Sequence, residues 1–421
     1  MNLQAEQLNH IIKKNNPSLF NLLSKKGEKT YFPYTGILGQ STAAKGKKYN
    51  ATIGIACEDD LSPMRLDVLD DQVQVEPDKV FSYASSFGNP GLRRQWKEMI
   101  LEKNPALRGK LFSLPVVTQA LTHGVFLAGF LFLNSGEEVV IPHPYWGNYK
   151  LLFEGGLGAK ITPFPCFKEN ICFNLEGLKM ILDARVGRKV VLLLNFPNNP
   201  TGYTPLSKEI DGIIKLLKSA AVQGTKIVLI IDDAYFGLVY EAGVARESIF
   251  GHLADLHENI LAVKIDGATK EDYAWGFRVG FITFGNKGLD ESGYKALADK
   301  AGGAIRGMIS NCSQLSQSLL LTAYTSSQYA DQKRKKYEIM KNRYQVLKRE
   351  FQRRTEFSEV FEPLPYNSGY FMCIRLLGDL DAEDVRLHLL ENYETGVIAL
   401  QGFIRIAFSA LPATEISNVL D

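Results

Sequence analysis

Short apolar runs alternate with helical patterns through the middle of the chain. The runs at 138–141, 159–163, 190–194, 226–231, 260–265 and 279–284 are long enough for strands and too short for helices. Several, such as the unbroken Val190, Val191, Leu192, Leu193 and Leu194, lack an exposed polar face. That character predicts strands covered on both sides. Between them, 207–219 places Ile210, Ile213, Ile214 and Leu217 at helical spacing. The succession of strand, helix and strand predicts an α/β fold with a mostly parallel central sheet flanked by helices.

The two ends read differently. The segment 1–70 is irregular and rich in Gly and Lys. The segment 313–421 holds a long charged helical pattern at 329–353, then strand-like runs at 368–375 and 403–408. These ends are expected to be two parts of one smaller, discontinuous α+β domain. The large domain between them is expected to span 71–312.

In such a sheet, ligands bind beyond the carboxyl ends of the strands. Four runs end in chemistry. Leu194 is followed by Asn195 and the turn 196–202, Ile231 by Asp232, Asp233, Ala234 and Tyr235, Ile265 by 266–270 with Lys270, and Ile141 by 142–146 with Tyr145 and Trp146. Amide, carboxylate, phenol, amine and indole groups thus converge on one edge. That argues for a site without naming its ligand.

Composition removes several classes. The 421 residues carry a formal net charge of +2, with 45% hydrophobic and 22% charged residues. This is an ordinary globular balance without the basic face that nucleic-acid binding needs. The five cysteines are odd in number and form no C-x-x-C, so a reducing, cytoplasmic setting is expected rather than a disulfide framework or zinc knuckle. No apolar stretch is long enough to span a bilayer, and the first ten residues hold no secretory h-region. No G-x-G-x-x-G follows an expected strand, and neither a P-loop nor H-E-x-x-H occurs, which disfavours dinucleotide, nucleotide and zinc-hydrolase chemistry and leaves no metal site in view.

The motifs Asn198-Asn199-Pro200-Thr201-Gly202, Asp232-x-Ala234-Tyr235 and Lys270 with Arg278-Val279-Gly280 resemble, in order and spacing, those of the class I/II aminotransferases. These are fold-type I enzymes dependent on pyridoxal 5'-phosphate (PLP). The likeness extends over about 31–408 and is closest in motif to the aspartate and aromatic enzymes. It implies the PLP-transferase fold and movement of an amino group from an L-amino acid, aspartate or aromatic favoured, to a 2-oxo acid such as 2-oxoglutarate. It further implies a homodimer with shared active sites.

Residue by residue, the resemblance makes Lys270 the catalytic lysine that holds PLP as a Schiff base. Such an amine must be neutral to react, which burial and nearby cations favour. Lys264 is a rival, but it lies inside an apolar run. Arg278 matches the phosphate-binding arginine. The family's usual Ser or Thr three residues before the lysine is Gly267 here, so Thr269 is a compensating candidate. The turn 121–125, with the amides of Gly124 and Val125, is expected as the other phosphate wall, at the start of an apolar helix 126–133. His123 is expected to be structural.

Asp232 matches the carboxylate that keeps the pyridine nitrogen protonated, with Asp233 pointing the other way. Tyr235 and Asn199 match the groups on the cofactor's ring oxygen, and Trp146 the stacked aromatic. The bonds His143–Pro144 and Asn199–Pro200 are expected to be cis. Tyr83 matches a tyrosine that reaches the neighbouring subunit's phosphate. Arg405, rather than Arg375, matches the arginine that grips the substrate α-carboxylate. Arg306, in 304–311, matches an arginine that crosses the dimer to a substrate side-chain carboxylate. The stretch 35–39, with Gly39, is expected near the substrate entrance. A C–S lyase or decarboxylase on the same fold, and a non-catalytic aminotransferase-like regulator, remain open alternatives.

Overall fold

The computed structural model describes residues 2–15, 17, 20, 22–30, 36–70, 76–400 and 402–421. Tyr31 and Thr35, at the start of the expected likeness and of the entrance segment, lie outside the described residues. So do 71–75, where the large domain was expected to begin.

A seven-stranded sheet organises the chain. Its strands are β1 (Val116–Gln119), β2 (Glu138–His143), β3 (Lys160–Pro165), β4 (Lys189–Asn195), β5 (Lys226–Asp232), β6 (Ile260–Asp266) and β7 (Val279–Gly285), in the spatial order β1-β7-β6-β5-β4-β2-β3. Strands β2 to β6 pair in parallel, while β7 runs antiparallel to both β6 and β1. The connection 267–278 explains the reversal. It contains only a single helical turn, Ala268–Glu271, and a short 3-10 segment. Return to a parallel strand needs a longer crossover.

The continuous apolar runs are buried on both faces. Val190, Leu192 and Leu194 join one core, and Val191 and Leu193 join the other. Helix α1 (Pro90–Lys103), capped by Asn89 with Pro90 in its first turn, buries Leu92, Trp96, Met99 and Ile100. Helix α2 (Ala120–Phe132) follows β1 directly, and α3 (Ser207–Val222) buries Ile210, Ile213 and Leu217 at the expected spacing.

Further helices include α4 (Glu291–Met308), α5 (Gln314–Tyr324) and α6 (Tyr329–Arg353). The C-terminal part adds an antiparallel sheet of β8 (Phe361–Pro363), β9 (Met372–Leu376), β10 (Ile398–Leu400) and β11 (Phe403–Ile406). N-terminal residues fasten onto it. Tyr49–Asn50 pair in parallel with Thr395–Gly396, Ala407 N donates to Ala51 O at 2.8 Å, and Cys57 N donates to Ser409 O at 3.0 Å. Helix α5 instead engages the segment before α1: Gln317 Oε1 accepts from Asn89 N at 2.7 Å. Among the described residues, no helix is long and apolar enough to cross a membrane.

Candidate active site

The register of β4, β5 and β6 brings their carboxyl ends level. Asn195 lies opposite Asp232, and Asp232 opposite Ile265. Because β7 starts where its neighbours end, the loop after β6 and the residues before β7 share this edge. Lys270 and Arg278 therefore line one cavity of about 270 Å³ together with Asp232, Asn199, Tyr235 and Arg405. Trp146 and Thr269 also face it.

Asp232 is 3% exposed. Its Oδ2 accepts a 2.6 Å hydrogen bond from Tyr149 and its Oδ1 accepts from Ala234 N at 3.1 Å. Burial pushes the carboxyl up to about 6 against the opposing pull of those bonds. Asp233 points to the other side of the sheet, where its carboxylate takes Ser248 Oγ at 2.6 Å and the Lys264 ammonium. Lys264 also contacts Asp266 at 3.0 Å and is fully buried, so it is an ion-paired interior lysine and does not line the cavity.

Lys270 follows Thr269 in the single turn after β6, and its Nζ lies 5.4 Å from the Tyr235 ring centroid. Burial, helped by the Arg278 charge and opposed by Asp232, lowers its ammonium to about 8. A large share of this amine is consequently neutral near pH 8. Arg278 adopts φ 55°, a left-handed conformation uncommon for a residue with a side chain, and its Nη1 donates to Trp275 O at 3.3 Å. Thr269 Oγ1 is buried and has no hydrogen-bond partner among the described residues. Such an orphan in a cavity wall suits a polar ligand.

Gly267 has a packing reason. A Cβ there would stand 2.7 Å from both Gly280 Cα and Val279 O. Strand β7 approaches too closely for the serine or threonine expected from the resemblance. Gly202 is constrained likewise, with φ 72° and a hypothetical Cβ 1.9 Å from Phe371 O.

Arg405 is 2% exposed on β11. Its Nη1 donates to Asn199 Oδ1 at 3.2 Å, its Nη2 to Thr52 O at 2.9 Å, and its guanidinium lies 4.3 Å from the Phe371 ring centroid. Among the described residues, Nε has no partner and no carboxylate forms a salt bridge with this arginine. Arg375, the rival, pairs with Glu362 outside the cavity.

The family model for aminotransferase class I and II matches residues 62–421. The chain belongs to this family. The aspartate aminotransferase of Sulfurisphaera tokodaii is 24% identical over 345 residues, 78% of each chain. That of Musicola paradisiaca is 30% identical over 203 residues, 48% of this chain and 47% of the relative, so the chain spans about half the length of that curated relative. Among solved structures, an aminotransferase from Anaerococcus prevotii aligns with a TM-score of 0.82 at 22% identity, covering 95% of this chain and 97% of that one. That likeness establishes the fold.

Within this aminotransferase fold, several expected site residues stand elsewhere. Helix α2 begins at Ala120 rather than near Phe126. Gly124 and Val125 are buried inside it and do not line the cavity, which touches Ala120, Leu121 and Thr122 instead. The correction follows from helix geometry, since only the first turn leaves amides free. Ala120 N is already taken by Arg278 O at 3.0 Å, which leaves Leu121 and Thr122. His123 has a structural role: its Nδ1 accepts from Gln119 N at 3.0 Å, so the ring is neutral on that side.

Tyr83 is 92% exposed and Arg306 is exposed on α4, with Nη1 donating to Ser310 Oγ at 2.7 Å. Neither lines the cavity of its own chain, and Gly39 does not either, although nearby Ile37 does. Both expected proline bonds are cis, as is Phe196–Pro197.

Three contributors were not assigned from sequence. Tyr149 crosses to Asp232 from the segment after β2. Asn195 ties the β5 end to the Asn199 turn, donating to Asp232 O at 2.9 Å and accepting from Asn199 N at 2.8 Å. Phe371 walls the cavity beside Arg405. Only Asn195 carried a signal, as the first polar residue after an apolar run.

Proposed function

We propose that the chain is a PLP-dependent aminotransferase that moves the amino group of an L-amino acid to a 2-oxo acid. One observation carries the reading: Asp232, with its carboxyl held by Tyr149, and Lys270, an amine lowered to about 8, face one cavity. The names of the relatives, several of them aspartate aminotransferases, support it.

The residues fit the cofactor. Arg278, the orphaned Thr269 Oγ1 and the amides of Leu121 and Thr122 form an anion-binding group for the phosphate. Asp232 is the carboxylate for a protonated pyridine nitrogen, Trp146 the stacking ring, and Tyr235 and Asn199 the partners of the ring oxygen. When bound, the cofactor supplies an electron sink for the carbanion at the substrate α-carbon.

Lys270 Nζ would hold the cofactor covalently, and as a free amine it would take the substrate α-proton as a general base and return a proton as a general acid. Arg405 binds the α-carboxylate, which fills a buried cationic site that has hydrogen bonds but no counter-charge among the described residues. The described residues of 1–70 and 313–421 act as the smaller domain over this edge, apart from α5, which is seated against the segment before α1. Tyr83 and Arg306 serve the site of a second subunit in a homodimer, with Arg306 toward acidic side chains, and Gly39 borders the entrance.

The test is a reaction panel. The chain is mixed with PLP, 2-oxoglutarate and either L-aspartate or L-tyrosine, and glutamate is measured. Glutamate formation is expected. Pyruvate and ammonia released from a cysteine conjugate, with no glutamate, would turn the assignment to a lyase. Arg306→Ala is expected to lose acidic donors selectively; equal activity on all donors would remove that role.

A further inference from the structure

Behind the Lys270 turn lies a cage of buried charges that the reaction itself does not use. Glu271 and Asp272, the two residues after Lys270, are 3% and 0% exposed. Lys103 Nζ, at the end of α1, lies 2.7 Å from Glu271 Oε1. Lys333 Nζ, in the first turns of α6, lies 2.6 Å from the same oxygen and 3.0 Å from Asp272 Oδ1. Tyr324 and Tyr329 donate to the two oxygens of Asp272 at 2.8 and 2.6 Å. On the other side, Tyr370 donates to the carbonyl of Lys270 itself at 2.9 Å.

Burying two carboxylates is costly, and apolar side chains of equal volume would fill the space without that cost. What the ions add is fixed geometry, because each satisfied charge holds its partner in one place. Here they hold a turn of only four residues, Ala268–Glu271. The two ammoniums also balance the two carboxylates, so the cage exerts little net field on the neighbouring amine. Lys333 comes from the C-terminal part of the chain, whereas Lys270 stands on the large sheet.

We propose that Lys333 is a positioning residue for Lys270: by clamping Glu271 and Asp272 it fixes the turn and keeps the field at the neighbouring amine neutral, and it makes both depend on the seating of α6. The inference rests on reading Lys270 as the base of the site. Facing that amine from the surrounding elements are Asp232, Arg278 and Tyr235, all untouched by a change at Lys333.

The test requires neither cofactor nor turnover, so it stands apart from the aminotransferase assignment. The cofactor-free full chain is treated with an amine-reactive reagent across pH, and labelling of the Lys270 peptide is followed by mass spectrometry. Removing one cation leaves excess negative charge beside the turn. Lys333→Met is expected to raise the labelling midpoint of Lys270 by about one pH unit, the order expected of one uncompensated charge near a buried amine. Lys333→Arg is expected to restore it, and the outer-surface change Lys335→Met to leave it alone. A Lys333→Met protein with a cooperative melt and an unmoved midpoint would overturn the proposal. If that variant does not fold, Lys103→Met carries the same test, since Lys333 still spans both carboxylates: a raised midpoint supports the cage and an unchanged one refutes it.

Discussion

Tyr149 donates a 2.6 Å hydrogen bond to Asp232 Oδ2, and both side chains are buried. The bond opposes the burial that pushes Asp232 up to about 6. Losing the donor raises the carboxyl further and leaves less of it ionised at neutral pH. Tyr149→Phe is therefore expected to move the acidic limb of the pH–activity profile upward by about one unit, and to lower kcat/KM near pH 6.5 by about threefold. A limb that stays in place would remove Asp232 from the reaction.

Lys270 offers a stability test. Its ammonium titrates near 8 in the folded chain against 10.5 unfolded. Between those values the unfolded state binds more protons, so stability rises with pH through this window. Below it, the buried charge is a cost. Lys270→Met is expected to stabilise the cofactor-free protein by about 2 kcal/mol at pH 7, a value discounted because the residue as a whole is only half-buried, and the gain is expected to vanish above pH 10.5. Denaturant melts at pH 7 and 10.5 measure it; equal gains at both would contradict the assigned titration.

At Gly267, restoring the family's usual hydroxyl is expected to harm rather than help. A Cβ would meet Gly280 Cα and Val279 O at 2.7 Å, and both are backbone atoms. Gly267→Ser should destabilise by about 1–3 kcal/mol and weaken PLP binding. Tighter PLP binding at unchanged Tm would show that the backbone yields there.

Lys264 balances Asp233 and Asp266 in the interior. Removing one partner of such a set leaves an uncompensated buried charge. Lys264→Met is expected to cost about 3–5 kcal/mol. Since Asp233 adjoins Asp232, it should also weaken PLP binding in whatever fraction folds. A melt matching the native protein would mean that the carboxylates are relieved by other groups.

Strands β4 and β5 were legible because the five apolar residues in a row at 190–194 and 227–231 have few alternatives to a doubly covered sheet, whereas the short β1 (Val116–Gln119) was not read from the sequence. The long helix Tyr329–Arg353 was legible from its periodicity, and Met340, Tyr344 and Leu347 indeed form its buried stripe. The start of α2 was not. Thr122, His123 and Gly124 read as a turn, yet they lie inside the helix, and Gly124 lacks a side chain there because a Cβ would lie 2.8 Å from Ile265 Cγ2. The reversal of β7 was hidden because an apolar run carries no direction. Of the site, the residues within compact motifs were found. Tyr149, Lys103 and Lys333 were not, because what joins them to Asp232 and the Lys270 turn is contact across the fold rather than spacing along the chain.

The central claim, that Lys270 performs the chemistry of an aminotransferase, is tested most directly by Lys270→Ala. Native and variant proteins are loaded with PLP and given L-aspartate and 2-oxoglutarate, and glutamate formation is followed after a melt has established that both are folded. The native protein is expected to form glutamate over many turnovers, and the variant none above the protein-free blank. A folded Lys270→Ala protein that makes glutamate at the native rate would contradict the account.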